Sequence, residues 1–326
     1  MATDPAAGER RAAHHRIDTH HHIVPPHYFA AERERILGAA MGRNEGLPGW
    51  TPRKAIDAMD SGGIATAVTS ISTPGVWFGD SPAARRLARE CNEYAAWMAR
   101  DYKGRFGVFA ALPFPDVEGS LREIEYAMDV LKADGIGLMT NYGDVWPGDP
   151  RFAPIFDELN RRKAVVYFHP TAAKCCTNLI PGVTPAVIEF AFDTTRAIVS
   201  LLFSGTLARC PDIRFIFSHG GGTLPMLAGR IAATSRNRKD LPTVAPNGVM
   251  HEFKKLYYDT VSVFDPTGFN ALRQLAGISR LLFGSDFPYW SPEANIAALG
   301  AQDLAPADLR AIERDNALAL LPQFAS

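Results

Sequence analysis

At 326 residues, with 47% hydrophobic and 21% charged, the chain has the composition of a globular protein with a substantial core. Its 34 lysines and arginines are balanced by 35 aspartates and glutamates and lie scattered, which argues against nucleic acid or an anionic membrane surface as a partner. No apolar stretch approaches the roughly 20 residues needed to cross a bilayer, so no membrane partner is expected.

Residues 1–16 are polar, alanine-rich and basic without an apolar centre, and read as a flexible tail rather than a secretion signal. The remainder, 17–326, shows no repeat and no long linker and reads as a single domain. Its first apolar run, 17–20, opens the sequence Ile17-Asp18-Thr19-His20-His21-His22. Further apolar runs of strand length follow at 65–71, 106–112, 136–140, 164–169, 213–219, 256–260 and 280–286. Thr51-Pro52, Ser81-Pro82, Thr184-Pro185 and Ser291-Pro292 each place a hydroxyl before a proline, the signature of a helix start. Lys103-Gly104, Asp134-Gly135 and Cys210-Pro211 read as helix stops.

Eight strands alternating with helices predict an α/β fold, a (β/α)8 TIM barrel. A doubly wound sheet is the alternative, but it needs a glycine-rich phosphate turn after its first strand, where this chain has histidines. Gly220-Gly221-Gly222 lacks the spacing of a nucleotide motif. The segment 171–184, after the fifth strand, is the expected mobile or substrate-shaping loop. Cys91, Cys175, Cys176 and Cys210 form no metal knuckle, and adjacent Cys175 and Cys176 suit no ordinary disulfide. All four are expected as free thiols in a reducing cytoplasm.

Lone-pair donors end several of these runs. His20 and His22, two apart on a strand, point to the same side, and His21 points away as a packing or exposed residue. His169, His219 and Asp286 close the fifth, sixth and eighth runs. In a parallel barrel these positions converge on the mouth where active sites are built. Imidazoles and a carboxylate suit one divalent ion, Zn2+ before Mn2+, with a coordination position left over. His20, His22, His169 and Asp286 are the candidate ligands, because an unpaired buried aspartate is costly. His219 could be a fifth ligand or structural; the acid/base role is favoured, because histidine moves protons near neutral pH. No lysine ends the fourth run, Gly137-Leu138-Met139-Thr140, where a second metal would need a bridging carbamate.

The order Asp-x-His-x-His, His169-Pro170, Ser218-His219-Gly220-Gly221-Gly222, then Gly284-Ser285-Asp286-Phe287-Pro288 resembles the amidohydrolase superfamily. Within it the chain is similar to the branch of aminocarboxymuconate-semialdehyde, salicylate-type and resorcylate-type decarboxylases, from about Ile17 to Leu321. The resemblance implies an amidohydrolase-like barrel with His20, His22, His169 and Asp286 as metal ligands and His219 as the acid/base or polarising residue. It also implies that Arg230 reaches a substrate carboxylate, in some members across a dimer interface, and hence a homodimer or dimer-based oligomer. Asp18 corresponds to a residue behind the ligands that orients a histidine. One departure is Thr171-Ala172-Ala173-Lys174-Cys175-Cys176, which corresponds to no loop of assigned substrate.

Aromatic residues follow several strand ends: Trp77, Tyr142, Trp146, Phe264, Phe287, Tyr289 and Trp290. Singly each suits packing; together they favour an aromatic or conjugated acid as the small-molecule partner. Trp77 and Phe287 are candidate substrate contacts, as are Arg53 and, more weakly, Arg196 for a carboxylate. The expected activity is metal-dependent, non-oxidative decarboxylation of an ortho-hydroxy aromatic or related conjugated acid, by a carboxy-lyase. The alternatives are a metal-dependent hydrolase or hydratase of a lactone or unsaturated dicarboxylate, and a non-catalytic barrel that binds a small acid. Asp286 serves both expected roles, ligand and proton donor.

Overall fold

Eight parallel strands run round a barrel in chain order: β1 (Arg16–His22), β2 (Ile64–Ser70), β3 (Phe106–Ala111), β4 (Gly135–Met139), β5 (Val165–His169), β6 (Arg214–Phe217), β7 (Tyr257–Asp259) and β8 (Leu281–Leu282). The structure is a computed structural model and describes residues 15–40 and 45–325. Each strand pairs in parallel with the next. β3 and β5 are buried along their whole length, as strands covered on both faces must be. No ladder joins β8 to β1. The seam is closed instead by Thr19 N–H to Phe283 O (3.0 Å), Asp286 N–H to His20 O (2.7 Å) and His22 N–H to Phe287 O (2.8 Å).

Ile17, Val68, Phe109, Val165, Tyr167, Ile216 and Leu282 form one buried cluster, to which the C-terminal Leu320 and Leu321 also belong. Tyr167 stacks on Phe109 (5.4 Å between centroids) and meets the His20 ring edge-on at 5.5 Å. The apolar layer of the barrel therefore lies directly against the histidines.

The sequence expectations hold for the architecture and fail at several boundaries. β6 ends at Phe217 and β8 at Leu282, so His219 and Asp286 lie on turns beyond their strands. Both adopt left-handed backbone (φ +53° and +58°), which breaks a strand and is strained for a residue with a Cβ. Thr51 caps the helix Pro52–Ser61 through Lys54 N–H, whereas Asp80 rather than Ser81 caps Ser81–Asp101. Ser291 stands at the N-cap of Pro292–Gly300 without a side-chain cap bond. Thr184-Pro185 opens no helix; Val187 N–H closes a turn on Thr184 O and the helix runs Glu189–Phe203. Of the expected tail, 1–14 lie outside the described residues, while His15 and Arg16 both pair with Glu313 (2.6 and 2.7 Å). All four cysteines are free thiols. Among the described residues no helix is long and apolar enough to cross a membrane.

One buried carboxylate ties the helix Glu189–Phe203 to the loop after β4. Asp193 accepts from Thr140 Oγ1 (2.5 Å), Asn141 Nδ2 (2.7 Å) and Trp146 Nε1 (2.8 Å). Burial pushes its carboxyl up, against the pull of these donors. Asp193→Ala removes the acceptor that three donor groups share and is expected to cost about 2–4 kcal/mol in urea unfolding. A loss below about 1 kcal/mol would show that the network is dispensable.

Candidate metal centre and active site

The C-terminal ends of the strands bring the separated donors together. One donor atom from each of His20, His169, His219 and Asp286 falls within 4.8 Å of the others. His22 joins them: its Nε2 lies 3.1 Å from His20 Nε2 and 3.2 Å from Asp286 Oδ1. His219 Nε2 stands 3.5 Å from Asp286 Oδ2.

The Nδ1 atoms of these histidines make the outer contacts. His20 Nδ1 meets Asp259 Oδ2 (2.8 Å), His169 Nδ1 meets Pro170 O (2.9 Å), and His22 Nδ1 lies 3.3 Å from Ser70 O. A carboxylate and a carbonyl can only accept, so His20 and His169 carry a proton on Nδ1 and turn Nε2 inward, while His22 Nδ1 also lies 3.2 Å from Ser70 Oγ. His219 Nδ1 meets Ser218 Oγ at 3.1 Å. Asp286 Oδ1 is buried, lies 3.2 Å from Nε2 of both His20 and His22, and has no hydrogen-bond partner of sound geometry.

Inward-facing lone pairs at 3.1–3.2 Å repel unless positive charge lies between them. With protein groups alone, that charge falls on His20. Burial pushes its imidazolium down, but Asp259 and Asp286 raise it to about 10. Burial, with neighbouring His22 and His20, keeps His169 well below the usual histidine range. Burial would raise Asp286, yet His20 holds it well below the usual carboxylate range. A divalent cation would take the place of that proton, and three imidazoles with a carboxylate are a suitable donor set.

Asp259 is the residue that sequence reasoning missed. Fully buried, it accepts from His20 Nδ1, from His219 N–H (2.8 Å) and from Val261 N–H (3.1 Å). One carboxylate thus orients a ligand candidate and the turn that carries His219. The signal was present, because Asp259 ends its apolar run as Asp286 does. Asp18 is buried behind the cluster and orients His21, not a ligand candidate: His21 Nδ1 lies 2.9 Å from Asp18 Oδ2. It also takes the Ser285 N–H (3.0 Å) and hydroxyl (2.5 Å), which locks the turn holding Asp286 to β1. His21 is fully buried and stacks on Phe287 at 4.9 Å.

A cavity of about 590 Å3 opens from His169, His219 and Asp286. Phe264, Tyr289 and Trp290 line it as expected of strand-end aromatics, and Phe190, Val263 and Leu272 add to it. Thr184 is the one residue of the expected 171–184 loop on its wall; the next segment, with Ala186, Val187 and Phe190, supplies more. Five expected substrate contacts are absent from this wall in the single chain. Arg53 is 75% exposed and pairs with Asp57, its neighbour one helical turn on. Trp77 packs against the core, and Phe287 is taken up by His21. Arg230 is exposed on the helix Leu224–Thr234. Arg196 faces Glu189 and Asp193 (3.7 and 3.8 Å). Tyr142 is bonded to Met139 N–H and Trp146 to Asp193.

Asp259→Asn keeps the shape but removes the charge behind His20. It is expected to weaken divalent-metal affinity by about 10–100-fold, measured by competition with a chromogenic chelator. Unchanged affinity would reduce Asp259 to a structural group.

The amidohydrolase family model matches residues 17–323. A decarboxylase of Aspergillus niger, yanB, is 38% identical over 297 residues, covering 85% of this chain and 80% of the relative. The 6-methylsalicylic acid decarboxylase of Penicillium expansum is 33% identical over 307 residues, covering 91% and 95%. More distant relatives include an aminocarboxymuconate-semialdehyde decarboxylase and gamma-resorcylate decarboxylases. Among solved structures, a dihydroxybenzoic acid decarboxylase from a Polaromonas species with bound manganese superposes with a TM-score of 0.83 at 20% identity, covering 96% and 98%. At that identity the likeness is one of fold. With the eight-stranded barrel, the histidine and aspartate cluster and the match over nearly its whole length, the chain belongs to the amidohydrolase family, in the branch that holds these decarboxylases.

Proposed function

We propose that the protein is a metal-dependent, non-oxidative decarboxylase of ortho-hydroxy aromatic acids of the salicylate type. The observation that carries this reading is the convergence of inward-facing Nε2 atoms and Asp286 Oδ1 at the head of a largely apolar cavity. The decarboxylases among its relatives favour this chemistry over hydrolysis of a lactone or unsaturated dicarboxylate, and over a silent binding barrel.

His20, His22, His169 and Asp286 would hold the ion. When bound, a divalent cation supplies Lewis acidity toward the carboxylate and ortho oxygen of the acid. Zn2+ suits the imidazoles, and Mn2+, present in the Polaromonas protein, is the alternative. Phe264 and Trp290 meet edge-to-face at 5.2 Å beside the cavity and offer an aromatic ring its apolar surroundings. His219 delivers a proton from Nε2 to the ring carbon that bears the carboxylate. The bond to the carboxylate carbon then breaks, its electron pair restores the aromatic ring, and carbon dioxide leaves. His219, now neutral, regains a proton from solvent. Asp286 Oδ2 stands 3.5 Å from His219 Nε2, beside the proton to be transferred.

A dimer is part of this proposal. The helix Leu224–Thr234 exposes Arg230, and one turn earlier Met226 lies on the cavity wall while 69% exposed. In a two-fold pair, such a helix beside the mouth could offer Arg230 to a neighbour's substrate carboxylate. The four free thiols fit a reducing cytoplasm.

Carbon dioxide release from a panel of hydroxybenzoates is expected, with none from lactones, and a chelator should abolish it until Zn2+ or Mn2+ is restored. Ring opening of lactones without carbon dioxide release would replace the proposal with the hydrolase. His219→Ala is expected to lower kcat by at least about 100-fold with metal content unchanged. Asp286→Asn should lose both metal and activity, so full metal stoichiometry by elemental analysis would remove Asp286 from the ligand set.

A further inference from the structure

We infer that the acid this cavity takes is a monocarboxylate whose ring carries an alkyl group larger than methyl. The inference rests on the salicylate-type reading above and names the substrate class within it.

The cavity has two chemically distinct parts. At one end stand His169, His219 and Asp286; beyond them Phe190, Val263, Phe264, Leu272 and Trp290 form an apolar part of the wall, with the hydroxyls of Ser72, Thr73, Thr184 and Ser262 also on the lining. The apolar wall begins directly behind His219. Gly220 has φ +62°, and a Cβ there would lie 2.8 Å from Val263 Cγ2 and 3.4 Å from Leu272 Cδ2, so these side chains press against the turn that carries the proton-moving histidine. On the other side Gly222 seats the turn against the Phe190 segment, where an added Cβ would fall 2.0 Å from Ala191 O. Both apolar walls are thus packed against the histidine turn through positions with no room for a side chain.

Size and charge point the same way. About 590 Å3 lies within the range of pockets that enclose ligands well beyond a single small ring. Among the described lining residues there is no lysine or arginine, while two carboxylates, Asp265 and Asp286, are present. Asp265 caps the helix Pro266–Ala276 by accepting from Thr267 N–H (2.9 Å) and Gly268 N–H (3.1 Å), and these bonds hold its carboxyl below the usual range. A second anionic group on the substrate would therefore find no cationic partner on this chain's lining. A ring hydroxyl directed at Val263 and Leu272 would lose its water without gaining a partner. An alkyl group directed there gains by burial, and each buried methylene contributes about 0.8 kcal/mol, a factor of about four in affinity.

The test compares salicylate with its methyl, propyl and pentyl derivatives, substituted at carbon 6 or carbon 4, and with 2,6-dihydroxybenzoate and a ring dicarboxylate, on the metal-loaded protein. In at least one alkyl series, kcat/KM for carbon dioxide release should rise about tenfold or more from methyl to propyl. The dihydroxy acid and the dicarboxylate should both fall below the methyl compound. A fall from methyl to propyl in both series, or a preference for the dihydroxy acid, overturns the inference while leaving decarboxylation intact. If no acid releases carbon dioxide, the decarboxylase reading fails, and calorimetric binding of the same series decides the cavity's preference separately. Affinity rising with chain length then supports an apolar substituent pocket, and affinity flat or falling rejects it. Val263→Phe should shrink the advantage of propyl and pentyl over methyl in whichever readout applies. An unchanged advantage would move the pocket away from that wall.

Discussion

Lone pairs that face one another inside a protein must have positive charge between them, and the mouth of this barrel is organised by that requirement. Nε2 atoms and a carboxylate oxygen approach to 3.1–3.2 Å in a fully buried setting. The outer hydrogen bonds of His20 and His169 place a proton on Nδ1 and turn Nε2 inward. A divalent cation in the middle would turn this repulsion into coordination.

The surrounding structure spends its order on keeping those atoms aimed. Asp259 grips the His20 ring and the backbone of His219 at once, so one ligand candidate and the acid/base candidate share a support. Asp18 does the same for the opposite wall, tying Ser285 beside Asp286 to the first strand across the barrel seam. His219 and Asp286 accept left-handed backbone, each at a cost of about 1–3 kcal/mol, and both belong to the cluster itself. Such strain persists where the surroundings over-determine it, and here these two buried aspartates supply that constraint.

Polarity changes abruptly across a few ångströms. The His20 ring meets Tyr167 below, and the turn carrying His219 meets Val263 and Leu272 through a glycine that admits no side chain. An acid bound at this junction has its carboxylate among charges and its ring among hydrocarbon. That contrast would suit a reaction that protonates a ring carbon and then releases the attached carboxylate as carbon dioxide. The far wall depends on Asp193, whose three donors fix the helix that presents Phe190 and Ala191.

The barrel, the order of its strands and the five donors at their ends were all legible in the chain, because each rests on local pattern. Apolar runs of strand length alternate with helix signals, and a histidine or aspartate closes the run. The His20 and His22 pair was equally local, since alternate residues of a strand share a face. Position in space was not local. Trp77, Phe287 and Arg53 follow strand ends or begin helices as pocket residues would, yet packing, a stacking partner and a neighbouring carboxylate claim them instead. Asp259 showed the same run-ending signal as Asp286, and its neighbours across the barrel alone distinguish a carboxylate behind a histidine from one beside it. A residue's chemistry is written in its side chain, whereas which lone pairs it faces depends on strands brought together from hundreds of residues apart.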